Sequence, residues 1–388
     1  MTALLILMIY FSFISLGLPD SLLGSSWPIS HQFFQVSLGY ASWVSLISSG
    51  GTVLSSLNSA RLIKRYGTFK VVIASIILTS IALWGIALSK SFVGLLIFSI
   101  PLGLGGGNVD AALNDFVAHH LEAKHMSWLH SFWGIGASTG PLLMSIFFHY
   151  GKFWQGPYLI IAFIQMSLVV LLYRNRSVWK PYENDATSQD VQTHTTLSIM
   201  KKPYVKWAML SFVAYVAMEG SVGLWGSSYV VNTLNFTPDQ AAFMGTIFYG
   251  SLTVGRILDG FLSMKASNAL RLSTSQWLGM MGIAILIFSH SAALVSVSFV
   301  LMGLGFAPSF PIMMHETPRR FNPEYSQAVI SLQMASAYLG FALMPMIIGL
   351  LIRYLDISYF PYFALSMVLI LILATYRIQN GVFKKKTA

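Results

Sequence analysis

The amino-acid sequence predicts an all-α membrane protein of twelve transmembrane helices, arranged as two six-helix bundles related by pseudo-two-fold symmetry. Three observations carry the prediction. Apolar runs of about 20 residues, the length that crosses a bilayer, recur along the whole chain. Of the 388 residues, 55% are hydrophobic and only 9% are charged, whereas soluble domains carry roughly 25% charged residues. So few charges cannot cover a water-facing surface, and most of the outer surface must face lipid. The third observation is spacing: the one long hydrophilic stretch, Arg176 to about Lys206, has six apolar runs on either side.

The first six spans fall at roughly 3–27, 37–60, 70–89, 92–116, 127–149 and 155–174. The first follows Met1 directly with no basic segment before it. It runs into Pro19-Asp20 and Trp27-Pro28 without a small-residue cleavage site, so it reads as a span and not as a signal peptide. Six more spans fall at roughly 207–231, 237–262, 270–289, 292–314, 325–350 and 357–377. The expected units are a bundle at 1–175, a linker at 176–206 holding Glu183, Asp185, Asp190, Lys201 and Lys202, a bundle at 207–380, and a basic tail at 381–388.

Orientation follows from the basic residues. With the N-terminus inside, 19 Lys and Arg fall in inner segments and 3 in outer loops (Lys90, Lys152 and Arg353), and Arg256 lies within a span. That asymmetry predicts a cell-membrane protein with both termini in the cytoplasm. It also explains the net charge of +10 without nucleic acid. Cysteine is absent, which excludes disulfides, thiolate metal sites and cysteine nucleophiles. The nine histidines show no metal-ligand spacing. There is no His-Glu-x-x-His, no Gly-x-Ser-x-Gly and no phosphate loop; the run Gly103-Leu104-Gly105-Gly106-Gly107 lacks the loop's lysine and lies inside a span. An enzyme or an ATP-driven pump is therefore not expected. A membrane sensor would usually carry a soluble output domain, and the linker is too short for one.

The halves resemble each other at an offset near 200. Gly24-Ser25-Ser26-Trp27 matches Gly226-Ser227-Ser228-Tyr229, and Phe34 falls opposite Phe236. Leu102-Gly103-Leu104-Gly105 matches Met302-Gly303-Leu304-Gly305, and Gly140-Pro141 sits opposite Met344-Pro345. Four matches in one order support duplication.

The second-to-third loop reads Ala60-Arg61-Leu62-Ile63-Lys64-Arg65-Tyr66-Gly67-Thr68-Phe69-Lys70. It resembles the basic loop signature of the major facilitator superfamily, in which Gly and Asp precede Arg-x-Gly. Arg65, Gly67 and the flanking basic residues fit; Ala60 stands at the Gly position and Lys64 at the Asp position. The resemblance implies the major facilitator fold, a secondary carrier with substrate bound near mid-membrane between parallel repeats, and Arg65 in gating. A narrower resemblance is to the fucose–galactose–glucose proton symporter branch, whose members place one carboxylate in the first span and one in the fourth. Asp20 and Asp110 fall there. The stretches Gly105-Gly106-Gly107-Asn108-Val109-Asp110-Ala111-Ala112-Leu113-Asn114 and Trp128-Leu129-His130-Ser131-Phe132-Trp133-Gly134-Ile135-Gly136-Ala137 look like the fourth and fifth spans of that branch. It implies sugar import with protons.

An ionisable group inside a span is costly and faces a cavity or a partner. Asp20 follows Pro19, which interrupts helical hydrogen bonding, and Gly17, Asp20, Gly24 and Trp27 share one face. The acid would bind hydroxyls or a proton and the indole would stack on a sugar; alternatively Asp20 bonds backbone freed by Pro19. Gly103, Gly107, Asp110 and Asn114 form a second stripe. Desolvation disfavours a charged carboxylate, so Asp110 there would serve proton coupling, or else bond between helices. Asp115, nearer the inner end, reads as structural. His130 shares a face with Gly134, Ala137 and Pro141 and would bind substrate, carry a proton or simply pack. Glu219, with Gly223 and Gly226 on its face, would couple protons, bind substrate or sit in a buried ion pair; Trp225 and Tyr229 would stack on substrate or lie at the interface.

Arg256 and Asp259, three apart in the eighth span, are expected to pair as a gate or clamp. Pro308 and Pro311 are expected to break the tenth span as a gate, with His315 and Glu316 in an inner network. Gln333 would bind a hydroxyl or another helix. The same carboxylates would serve a proton-driven drug or metabolite exporter. The expected partners are a small solute and the lipid bilayer, with no cofactor beyond the proton as coupling ion, in a monomer.

Overall fold

The computed structural model describes residues 3–182, 199–289 and 291–386. The linker acids Glu183, Asp185 and Asp190 lie outside the described residues, as do Thr387 and Ala388 of the tail. The long described elements are all helices: α1 Ala3–Asp20, α2 Leu22–Phe33, α3 Ala41–Tyr66, α4 Thr68–Leu88, α5 Phe92–His120, α6 Ala123–His149 and α7 Gln155–Arg174, then α8 Val205–Leu234, α9 Pro238–Leu262, α10 Asn268–Phe288, α11 Ala292–Phe306, α12 Ser309–Arg320, α13 Pro323–Tyr354 and α14 Phe360–Lys386. Two pairs, α1–α2 and α11–α12, each make one broken span. Among the described residues, eleven segments are long and apolar enough to cross a membrane. The twelfth span is α3, which at 26 residues is long enough but rich in Ser, Thr and Gly. Its lower apolar content fits its role, because Gly51, Ser55 and Ser59 are buried against neighbouring helices.

Short connections set the sequence of spans. A single residue, Gly67, separates α3 from α4 at φ +82°, a backbone conformation that favours glycine. Ser91, Ser267 and Ser291 cap α5, α10 and α11 by accepting from the backbone N–H three residues on. Outward faces are apolar, as lipid requires: Ile81, Trp84 and Leu88 on α4, and Phe163, Val170 and Tyr173 on α7, are all exposed.

The chain divides into two compact units, Met1–Gln189 with Asn235–Thr246, and Asp190–Leu234 with Ile247–Ala388. In the first unit the buried core runs through Leu5, Ile9 and Phe13 of α1, Ile76 of α4, Leu113 and Phe116 of α5, and Leu172 of α7. The linker's opening residues belong to this core. Two short 3₁₀ turns, Arg176–Val178 and Lys180–Tyr182, place the buried Trp179 ring 5.3 Å from Phe116 and 5.8 Å from Phe69. Ile199, at the linker's far end, is buried in the second unit with Val205, Phe321 and Leu332. The linker therefore docks at both ends and does not run free from residue 176.

Glycines fix how closely the helices approach, and they do so twice. A Cβ on Gly103 would meet the Ser48 carbonyl at 1.9 Å, and one on Gly303 would meet the Phe248 carbonyl at 2.4 Å. A Cβ on Gly105 would meet the Ser75 carbonyl at 2.7 Å, and one on Gly305 the Ser275 carbonyl at 2.8 Å. Each partner is shifted by 200 residues, so the repeat seen in the sequence is a repeat of backbone contacts. A polar tie recurs as well: Thr79 donates to Gln165 at 3.0 Å in the first unit, and Thr375 donates to Gln276 at 3.3 Å in the second.

Candidate functional site

The first unit builds its site at the helix break that Pro19 creates. α1 ends at Asp20 and α2 begins at Leu22, in the middle of a 31-residue span. The Asp20 side chain is exposed. Its Oδ2 accepts a hydrogen bond from the Trp133 indole Nε1 at 2.7 Å. One residue on, Ser21 donates to the Ala137 carbonyl at 2.6 Å, so both bonds across the break reach one face of α6. Close approach of α1 and α6 makes this possible. A Cβ on Gly17 would meet the Trp133 carbonyl at 2.1 Å, and one on Gly136 would meet the Ile14 carbonyl at 2.2 Å.

Asp110 on α5 lies close enough for its charge to act on Asp20. Its Oδ1 accepts from Asn114 Nδ2 at 2.8 Å, one helical turn away, and the same amide also donates to the Asp110 carbonyl at 2.9 Å. Asp110, Asn114 and Trp133 are half-buried. The expected stripe on this span divides by function. Gly103 and Gly107 are buried against α3, where Thr52 donates to the Gly103 carbonyl and Ser56 to the Gly107 carbonyl, each at 3.2 Å. Only Asp110 and Asn114 remain on the accessible side. His130, also half-buried, packs edge-on against Phe13 with ring centroids 5.9 Å apart. Asp115 is exposed and lies 3.3 Å from His119.

The second unit holds its acids differently. Glu219 is buried on α8, 3.8 Å from Arg256 on α9. The Arg256 guanidinium also donates to the Tyr215 hydroxyl at 3.5 Å, and that hydroxyl interacts with Glu219. Asp259 takes Arg271 of α10, which donates to both its carboxylate and its backbone carbonyl. The expected Arg256–Asp259 pair is thus replaced by two pairs that reach other helices. A residue three positions along a helix must compete with cations that neighbouring helices bring in more directly. Arg271 also donates to Asn268, whose amide donates to Glu316. Glu316 in turn lies 3.3 Å from Arg320 and 3.5 Å from Arg319. His315, 3.4 Å from Asn268, joins this network, so residues 315 and 316 do share a polar cluster.

Other expected site residues lie elsewhere. Trp27 is fully buried; its indole donates to the Leu38 carbonyl at 2.6 Å and its ring packs on Phe92. It anchors the end of α2 and leaves no face for a ligand to stack on. Trp225 is also fully buried, and Tyr229 is buried with its ring packed on Phe360 at 5.7 Å. Bulky aromatics at mid-span fill the bundle core here more than they line an opening. Gln333 is buried and accepts from Thr317 at 2.9 Å, tying α13 to α12. The tenth span breaks at Pro308, whereas Pro311 sits in the first turn of α12, where a missing N–H is tolerated. Arg65 is exposed and lies over the Tyr66 ring at 5.3 Å. Among the described residues it forms no ion pair, since Lys64 occupies the position an acid would fill. Trp133 and Arg271 were not among the expected site residues. Trp133 lies in the stretch already singled out on the fifth span, and Arg271 stands twelve residues beyond Asp259 across a tight turn.

Twelve spans in two units, with carboxylates presented inside the spans, define a multi-pass membrane carrier. The chain belongs to the Major Facilitator Superfamily, whose family model matches residues 9–274 and 207–387, and it is a transporter and not an enzyme. It is 26% identical over 350 residues to the glucose/mannose transporter GlcP of Bacillus subtilis, covering 88% of this chain and 86% of that protein. It is 25% identical over 394 residues to "Bypass of stop codon protein 6" of Saccharomyces cerevisiae, covering 92% and 78%. Among solved structures it resembles a bacterial homolog of the human lysosomal transporter Spinster, in an inward-facing and occupied conformation. That match has a TM-score of 0.69 and 14% identity, covering 97% of this chain and 95% of that one.

Proposed function

We propose that this transporter imports a small polar solute, a sugar, together with protons across the cell membrane by alternating access. The observation that carries the reading is Asp20: an exposed carboxylate at a helix break in mid-span, held by a neutral donor and close to a second acid. Neutralising it breaks no ion pair, so a proton can arrive and leave at small cost. Asp110 is the second coupling acid, and Asn114 and His130 contact the sugar hydroxyls. Glu219 takes part as the partner of Arg256. Similarity to a glucose/mannose transporter over most of the chain supports sugar as the cargo. The excess of basic residues in one set of loops supports cytoplasmic termini. The protein works as a monomer, and its coupling ion is the proton.

Uptake into proteoliposomes across a sugar panel, with and without an inward proton gradient, tests the proposal. Accumulation of one or more hexoses only with the gradient is expected. Uptake indifferent to the gradient, or full gradient-driven activity in Asp110→Asn, would remove the coupling role.

A further inference from the structure

We infer that Trp133 is the positioning residue of the Asp20 carboxylate: its indole N–H fixes the acid's orientation and sets the pH at which it takes up a proton. The inference rests on the reading of Asp20 as a proton-binding acid. The 2.7 Å bond to Oδ2 is a close contact between a donor and an ionisable acceptor. An indole N–H can only donate. A proton placed on Oδ2 would turn that oxygen into a hydroxyl, a poorer acceptor than a carboxylate, so protonation favours Oδ1 or weakens the indole bond. In both cases the charge on Asp20 is linked to the contact between α1 and α6.

The surroundings make that link rigid. Gly17, Gly136 and Gly140 bring the α1 and α6 backbones into contact; a Cβ on Gly140 would meet the Leu18 carbonyl at 2.5 Å. Ser21 ties the residue after Asp20 to Ala137, one turn from Trp133. The indole therefore reaches the carboxylate from a backbone held in place beside it. Titratable groups on the helices packed against α1 have partners of their own. Asp110 on α5 accepts from Asn114. On α6, His130 packs on Phe13 and His125 lies 2.6 Å from the Tyr10 hydroxyl. On α7, Tyr158 bonds Ser26 at 3.0 Å, and the neutral Gln165 donates to the Ser15 carbonyl.

Trp133→Phe keeps an aromatic ring and removes the donor. Hydrogen bonds to charged groups are worth about 1.5–3 kcal/mol, which corresponds to about one to two pH units. The midpoint of Asp20 protonation is expected to move to higher pH by that amount. It is read on purified full-length protein by infrared titration of the carboxyl band that Asp20→Asn removes. The pH midpoint of uptake should follow, and Trp133→Gln, which restores an N–H donor, should move both back toward the wild type. An unshifted midpoint with lower uptake at every pH would make Trp133 a packing residue and overturn the assignment.

If Trp133→Phe does not fold, the wild type itself decides. The Trp133 indole nitrogen resonance should titrate with the Asp20 midpoint and lose that response in Asp20→Asn; a resonance indifferent to pH overturns the assignment. Wild-type uptake that ignores the proton gradient would refute proton symport alone, while the infrared shift would still decide the role of Trp133.

Discussion

The two units share a packing lattice and differ in how they hold their acids. Gly103 and Gly105 press on the carbonyls of Ser48 and Ser75, and Gly303 and Gly305 press on those of Phe248 and Ser275. On that common frame, the first unit gives Asp20 and Asp110 neutral donors, Trp133 and Asn114. The second gives its acids guanidinium groups, Arg256 for Glu219, Arg271 for Asp259, and Arg319 and Arg320 for Glu316. Protonating Asp20 or Asp110 strands no cation. Protonating Glu219 or Asp259 takes the carboxylate charge away from Arg256 or from the buried Arg271. Duplication preserved the helix contacts, while the charges diverged into a unit whose mid-span acids have neutral donors and a unit of fixed internal pairs.

The sharpest way to break this comparison is to remove a cation from the second unit. Arg271→Leu strands the buried Asp259 carboxylate and cuts the link through Asn268 to Glu316. Breaking a buried pair from one side costs about 3–5 kcal/mol. Thermal unfolding of the purified protein should show a loss of that order, and Asp259→Leu combined with Arg271→Leu should recover most of it. A loss in the single variant no larger than that of a surface substitution would mean that the network does not hold the unit together.

The shared lattice makes the next prediction. Gly103→Ala and Gly303→Ala should both destabilise, by about 1–3 kcal/mol as overpacking does, because each new methyl meets a backbone carbonyl that cannot swing aside. The approach is closer at Gly103, 1.9 Å against 2.4 Å, so its variant should lose more. Opposite ordering, or tolerance at only one site, would show that the repeat at an offset of 200 is not a repeat of equivalent contacts.

Replacing the acids of the first unit should separate stability from coupling. Asp20→Asn keeps the shape of the side chain and weakens the bond from Trp133 from a charge-assisted to a neutral one, at a cost of about 1 kcal/mol. Folding should survive while gradient-driven uptake falls and exchange of sugar across the membrane persists. Glu219→Gln, by contrast, removes the carboxylate that faces Arg256 and should cost more stability than Asp20→Asn. If the two variants were equally stable, the contrast between neutral and cationic partners would have no energetic content.

The sequence made the spans legible because bilayer length and charge content constrain every residue of a span. It also revealed the duplicated Leu-Gly-Leu-Gly and Met-Gly-Leu-Gly segments, whose backbone contacts are equivalent. α3 was found despite its Ser and Gly content, since its length and place in the order sufficed. The site was only half legible. Asp20 and Asp110 stand out because an acid inside a span is rare, whereas the partner of each acid depends on which helix passes beside it. Spacing within one helix pointed Arg256 at Asp259, and tertiary packing gave both residues other partners. Trp27 shares a stripe with Asp20 and Trp225 lies in the same span as Glu219, but a helix with lipid outside and a core inside buries large aromatics beside its acids. The glycines of the fourth span face α3 for the same reason: one stripe serves packing over part of its length and the opening over the rest.

The smallest expected effect tests the loop that carries the family resemblance. Arg65 is exposed, stacks on its neighbour Tyr66 and meets no acid among the described residues. A surface substitution of this kind changes stability by less than about 0.5 kcal/mol, and a lone exposed cation has no lock to release. Arg65→Ala should therefore leave both thermal unfolding and the rate of gradient-driven uptake close to wild type. The equivalent place in the second unit, where Arg271 holds Asp259, should be far less tolerant. A large loss of uptake in Arg65→Ala with unchanged stability would show that this loop finds an acidic partner at another stage of transport. It would also restore a charge lock to the first unit and narrow the difference between the two halves.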